Sequence, residues 1–231
     1  MGTILLRILF IGNSLTATND LPAVLEAFGR AQGVAIETRM VAFPEHTLLD
    51  HWGRPEARRA LAGGRWDFVV LQQGPSAMPE SQRLLRSYAG NWAKEIRRFG
   101  ARPAMFMVWP SRSRFGDFAG VLDSYRLAAE DTGALLLPVG DAWLRMWKRD
   151  PAANLYGPDG FHPSGLGTYL AALVMFRQFT GTSVVGLPSP FSSFDPIVVR
   201  ALQEAADEAA AHTSPSRPPG DRREEHAPCC R

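Results

Sequence analysis

The stretch Ile4-Leu5-Leu6-Arg7-Ile8-Leu9-Phe10-Ile11-Gly12-Asn13-Ser14-Leu15-Thr16 decides the fold of this 231-residue chain. A run that is apolar except for Arg7 leads straight into a Gly-Asn-Ser turn, and a helical pattern follows at Leu21 to Gln32. An apolar run of strand length without polar alternation reads as a strand buried on both faces, as in parallel sheets covered by helices. It makes a poor secretory leader, because Arg7 interrupts it and no small-residue cleavage site follows.

The same alternation continues along the chain. Strands are expected at Ile4 to Ile11, Ala35 to Ala42, Phe68 to Gln73, Ala104 to Trp109 and Leu135 to Val139. Helical patterns lie at Pro55 to Ala62, Glu80 to Phe99, Phe118 to Thr132 and Asp141 to Lys148, and two more near Ser164 to Thr180 and Asp195 to His212. Successive strand–helix units with short connections imply right-handed crossovers and an α/β fold, a three-layer α/β/α sandwich around a five-stranded parallel sheet. Residues 1–212 read as a single domain. The segment 213–231, TSPSRPPGDRREEHAPCCR, has too few large apolar side chains to offset its ordering entropy and is expected to be a disordered tail.

Composition narrows the function. Twenty-five Lys and Arg against 23 Asp and Glu leave a charge of +2, which points to no nucleic acid or anionic membrane as partner. No apolar run reaches the length of a membrane span. The two cysteines, Cys229 and Cys230, are adjacent and form no metal-ligand spacing, which fits a cytoplasmic location.

In open parallel sheets ligands bind beyond the carboxyl ends of the strands, so chemistry is expected in those loops. After the first strand stands Ser14 in a tight turn, which suits either a helix cap or an exposed nucleophile. Tyr156-Gly157-Pro158-Asp159-Gly160-Phe161-His162-Pro163-Ser164 places an acid and an imidazole three residues apart, a spacing equally suited to a loop hydrogen bond or to a catalytic pair. Asp141 after the fifth strand is a helix N-terminal residue and the substitute acid if Asp159 points away. Trp109, Arg112 and Arg114 follow the fourth strand as candidates for a substrate wall, the alternative being a buried Trp and solvated Arg. Trp52, Trp66, Trp92, Trp143 and Trp147 read as packing residues.

Together, Gly12-Asn13-Ser14-Leu15-Thr16 and Asp159-Gly160-Phe161-His162-Pro163 resemble the first and last blocks of the SGNH (GDSL-like) hydrolases, over about residues 4 to 180. The resemblance implies an SGNH-hydrolase/flavodoxin-like sheet, Ser14 as nucleophile, and Asp159 and His162 completing a triad. Two blocks depart from the family. Val41-Ala42-Phe43-Pro44-Glu45-His46-Thr47-Leu48 lacks the Gly whose N–H helps bind the oxyanion, leaving the N–H of Glu45 or His46. Gln72-Gln73-Gly74-Pro75-Ser76 replaces Gly-x-Asn-Asp, with the Gln73 amide the expected donor and Gln72 and Ser76 the fallbacks. This Gln-containing block, with Thr47-Leu48-Leu49-Asp50-His51-Trp52, resembles a poorly characterised bacterial branch of the superfamily.

The expected oxyanion donors are therefore Ser14, Glu45 and Gln73, and the expected substrate contacts Asn13, Gln72, Ser76, Trp109 and Arg112. The reaction implied is serine-dependent hydrolysis of a small ester, such as an O-acetyl group on a carbohydrate, without metal or cofactor. Two rivals stand: a catalytically silent binding protein on the same fold, and a metal-dependent deacetylase using the His46/His51 region.

Overall fold

The computed structural model describes residues 5–213. Five parallel strands, β1 (Leu5–Gly12), β2 (Ala35–Ala42), β3 (Phe68–Leu71), β4 (Arg102–Phe106) and β5 (Leu135–Leu137), form one sheet in the order β2-β1-β3-β4-β5. The helices are α1 (Ser14–Ala17), α2 (Leu21–Ala31), α3 (Leu48–Gly53), α4 (Pro55–Ala62), α5 (Pro79–Arg98), α6 (Phe118–Thr132), α7 (Val139–Arg149), α8 (Gly165–Thr180) and α9 (Pro196–Ala211). The expected three-layer sandwich is the one observed. The proposed tail lies outside the described residues except for Thr213, whose hydroxyl accepts a bond from Gln178 at 2.8 Å. Among the described residues, no helix is long and apolar enough to cross a membrane.

The chain winds from β1 to β2 on one side and then crosses back over β1 to β3, so its direction reverses between β1 and β3. That switch point opens a crevice beyond their carboxyl ends, where the loops from neighbouring strands diverge. Ile8 to Ile11 of β1 and Phe68 to Leu71 of β3 are buried and make this pair a rigid floor for the crevice. Behind the sheet, α8 is buried nearly all round because it packs against both α2 and α9.

Strand ends deviate from expectation for local reasons. Pro103 lies inside β4, an interior strand, although proline removes a ladder donor. It is tolerated because β5 pairs with β4 only from Ala104 onward, so no partner on that side asks for its N–H. Gln72 and Gln73 leave β3 because their side chains bond into the loops above the sheet. Helix α3 was not expected. Its signal was the capping box, in which Thr47 Oγ1 accepts from Asp50 N–H at 3.3 Å while the Asp50 carboxylate accepts from Thr47 N–H at 2.8 Å. At the exposed edge, the Glu26 carboxylate accepts from the N–H of Thr38 in β2 at 2.7 Å, capping a strand edge that would otherwise be open to pairing.

Candidate active site

The nucleophile candidate is set by the turn after β1. Asn13 is extended and caps α1, its Oδ1 accepting from Leu15 N–H at 3.1 Å, so Ser14 becomes the first helical residue. The Ser14 N–H has no acceptor among the described residues, as expected at a helix start. Gln72 holds this turn from β3. Its Oε1 accepts from Asn13 N–H at 2.8 Å and from the Thr16 hydroxyl at 2.7 Å, while its Nε2 donates to Asn13 Oδ1 at 2.9 Å and to Gln73 O at 2.7 Å. From below, His51 Nε2 meets Gly12 O at 2.7 Å, and since a carbonyl only accepts, Nε2 carries a proton and donates there. Burial pushes the His51 pKa down, which favours the neutral ring.

Gly12 is confined to glycine by this network. A Cβ there would lie 2.5 Å from Gln72 Oε1 and 2.6 Å from Thr16 Oγ1. Gly12→Ala is expected to break the Gln72 clamp, lowering stability by about 2 kcal/mol through unpaired buried polar groups. Denaturant titration checks it; a change under about 0.5 kcal/mol, the scale of an innocuous surface substitution, would show that the clamp yields freely.

The base candidate sits on the loop between Tyr156 and α8. Asp159 Oδ1 accepts from the N–H groups of Phe161 and His162, each at 2.9 Å, which closes an Asx turn with Gly160 at φ 69°. Its other oxygen lies 2.5 Å from His162 Nδ1. His162 Nε2 then lies 2.9 Å from Ser14 Oγ. The bond from the His162 side chain, followed by that from Phe161 N–H, holds the Asp159 pKa down at about 2 against a small opposing effect of burial. Ser14, which lies far from the other two in the sequence, thus joins His162 and Asp159 in one hydrogen-bonded chain.

Four successive carbonyls of this loop are each held by a donor. Gly160 O accepts from Arg112 N–H at 2.7 Å, Phe161 O from Trp109 Nε1 at 2.9 Å, His162 O from Gly157 N–H at 2.7 Å, and Pro163 O from Asn19 Nδ2 at 2.9 Å. The imidazole therefore stands on a backbone fixed from several sides.

Several expected substrate contacts are corrected by the structure. Trp109 is fully buried, stacked on Trp143 with ring centroids 3.8 Å apart, and its indole N–H is spent on Phe161 O, so it forms no substrate wall. Gln72 is fully buried with both ends of its amide bonded and has nothing left for substrate. Asn13 is buried as a cap, its Nδ2 donating to His46 O at 3.1 Å. Arg112 holds its guanidinium 5.3 Å from the Tyr156 ring centroid and lines a separate cleft with Asn19, Tyr156 and Pro163, away from the one that Ser76 and Phe161 line. Asp141 is ion-paired with Arg145 at 2.8 Å within α7.

Other candidates remain at the site. Gln73 is buried, its Oε1 accepting from Leu48 N–H at 3.1 Å and its Nε2 donating to Ser76 Oγ at 2.9 Å, which leaves one amide hydrogen unassigned. Phe43 to His46 form a turn in which His46 N–H donates to Phe43 O at 3.3 Å, with Pro44 and Glu45 at its centre and Glu45 in the left-handed region at φ 61°. The Glu45 N–H has no acceptor among the described residues, so of the two N–H groups considered it is the free one. Ser76 and Phe161 line a cleft of about 360 Å³ with Met78, Pro110 and Arg114, whose guanidinium pairs with Asp117 at 2.6 Å. The rings of His46 and His51 are 5.4 Å apart between centroids, each donating one N–H to a backbone carbonyl, and among the described residues no three metal-ligating side chains converge.

Residues 19, 20, 45 and 76 are the non-glycine positions at positive φ among the described residues, the first two in the 3-10 turn Thr18–Asp20 and the others in loops, all beyond the strand ends. Such clustering accompanies functional sites. Sequence reasoning missed Asn19 and underrated His51, which follows directly on the Thr47–Asp50 box and is carried inward by α3.

No protein-family model and no curated relative matches the chain. Solved structures do. A DUF4886 family protein from Bacteroides uniformis superposes with a TM-score of 0.80 at 20% identity, over 90% of this chain and 95% of its own. A proposed SGNH hydrolase from Slackia heliotrinireducens gives 0.64 at 29% identity, over 75% and 98%. A variant of a Geobacillus acetyl-xylooligosaccharide esterase gives 0.63 at 16% identity, over 78% and 96%. In fold, the chain is SGNH-hydrolase-like.

Proposed function

We propose that the protein is a serine esterase acting on small acyl esters. The observation that carries this reading is the Ser14 Oγ–His162 Nε2–Asp159 chain at 2.9 and 2.5 Å. Ser14 Oγ attacks the ester carbonyl as its proton passes to His162 Nε2, while Asp159 fixes the tautomer and stabilises the imidazolium. The alcohol leaves with that proton, and the Ser14 acyl ester is then hydrolysed by water activated by the same imidazole. The tetrahedral oxyanion is met by the N–H groups of Ser14 and Glu45 and by the remaining Gln73 amide hydrogen. Each such donor is worth about 3 kcal/mol in the transition state.

O-acetyl esters of carbohydrates are the first substrates to screen. The fold-level likeness to an acetyl-xylooligosaccharide esterase supports that choice, as does the modest cleft beside Phe161. Reaction with a fluorophosphonate probe followed by peptide mapping tests the mechanism before the substrate is known. Labelling confined to Ser14 and lost in His162→Ala is expected; a folded parent that takes up no label and cleaves no ester would favour a silent binding protein.

Glu45→Gly separates backbone from side chain in this scheme. Glycine occupies φ 61° without steric cost and keeps the N–H, so the variant is expected to gain up to about 1 kcal/mol of stability with turnover unchanged. Thermal melting and an ester assay check it, and a fall in turnover would transfer the role to the carboxylate.

A further inference from the structure

We propose that Asn19 is a positioning residue that sets the distance between nucleophile and base. This rests on the serine-esterase reading of Ser14 and His162. Asn19 lies five residues beyond Ser14 and faces the loop of His162. Its single amide nitrogen donates to Pro163 O and to Thr168 Oγ1, both at 2.9 Å. The first acceptor belongs to the residue directly after His162. The second belongs to a buried residue in the first turn of α8 whose own hydroxyl donates to Ser164 O at 3.1 Å.

The other holds on the histidine loop do not do this work. Arg112 N–H and Trp109 Nε1 tie Gly160 and Phe161 to the segment after β4, and Gly157 N–H ties His162 O within the loop itself. They fix the imidazole relative to β4, not to the nucleophile. Among the described residues, the hydrogen bonds joining the Asn13–Asp20 segment to the Gly157–Thr168 segment are the Ser14–His162 bond and the two from Asn19. Asn19 is therefore the strap that registers the two halves of the site independently of the reacting atoms.

Residue type and backbone agree with that role. Asn19 and Asp20 are consecutive left-handed residues, at φ 57° and 51°. This conformation is costly for most side chains and least so for Asn and Asp among those with a Cβ. The double bend turns the chain out of α1, aims the Asn19 amide across to α8, and leaves Asp20 to cap α2 by accepting from Ala23 N–H. Asn thus takes the bend and supplies two donors at once.

Asn19→Gly tests the strap, because glycine keeps the left-handed backbone and deletes the amide; Asn19→Asp, which tolerates the same φ but cannot donate, is the second variant should the first fail to fold. The expected result is a kcat lower by about 10²-fold, the scale of a misplacement near 1 Å, with KM within about twofold and the rate of fluorophosphonate labelling falling in parallel. The imidazole nitrogen shifts of His162 by NMR supply a readout that needs no substrate. Ser14→Ala marks the Nε2 signal of a base without its partner, and Asn19→Gly is expected to move Nε2 toward that signal. Parent-like kcat and a parent-like Nε2 shift would overturn the strap, as would a variant that is only less heat-stable. If the parent hydrolyses no ester and takes up no label, the esterase reading fails, while the Nε2 comparison still decides whether Asn19 sets the spacing.

Discussion

Ser14→Ala and His162→Ala are each expected to lower ester turnover by about 10⁴-fold or more, and the double variant is expected to fall no further than the worse single one. The reason lies in the 2.9 Å contact between Ser14 Oγ and His162 Nε2. A hydroxyl at neutral pH is a weak nucleophile without a base, and the imidazole has no proton to take without the hydroxyl, so removing either leaves the same residual site. The residual catalysis is expected from the proposed oxyanion donors, which neither change touches: the Ser14 N–H persists in alanine, and Gln73 and Glu45 are held by their own loops. Both variants are expected to fold like the parent, since among the described residues the two side chains hydrogen-bond only to each other and to Asp159. Steady-state rates on a p-nitrophenyl acetate-type ester, with circular dichroism as a folding control, make the measurement. Additive losses in the double variant would show that the two residues act in separate steps, and an intact Ser14→Ala rate would end the serine mechanism.

Much of this arrangement was legible in the sequence, and what was not has identifiable physical causes. The apolar runs of β1 and β3 announced buried parallel strands because nothing but a covered sheet accommodates them, and Gly12-Asn13-Ser14 stood where such a sheet exposes its ligands. Asp159 and His162 were readable because three residues of loop suffice to bring them together. The second and third blocks were harder. Gln72 and Gln73 are chemically identical neighbours, and only the alternation of direction after β3 sends one into the nucleophile turn and the other toward Leu48 and Ser76. Trp109 looked like a wall because it follows a strand, whereas its stacking on Trp143 depends on a helix more than thirty residues later. Asn19 was invisible for the same reason, since an Asn-Asp pair before a helix reads as a turn and a cap until α8 arrives beside it.

Asp159→Asn is expected to cost about as much as loss of the nucleophile, near 10⁴-fold in kcat at neutral pH, although it changes one atom. Asparagine can keep the Oδ1 acceptor for Phe161 and His162 N–H and so preserve the turn. Its amide nitrogen then faces His162 Nδ1 as a donor where a carboxylate oxygen had accepted, and the ring answers by taking the tautomer that carries its proton on Nε2. That nitrogen can no longer accept from Ser14. The parent sets the matching pH expectation: with its pKa lowered to about 2, Asp159 stays ionised far into acid, so an acid limb in kcat/KM at higher pH reports another group. The sign for stability follows from the same shift. The contribution of the carboxylate is fully present above its unfolded value near 3.9 and is lost as pH falls toward 2, so the stabilities of parent and Asp159→Asn should converge across that window. Rates of both proteins at neutral pH and melts across that acid window check both halves. Turnover in Asp159→Asn within about tenfold of the parent would mean that the backbone holds on the loop orient the imidazole without the acid.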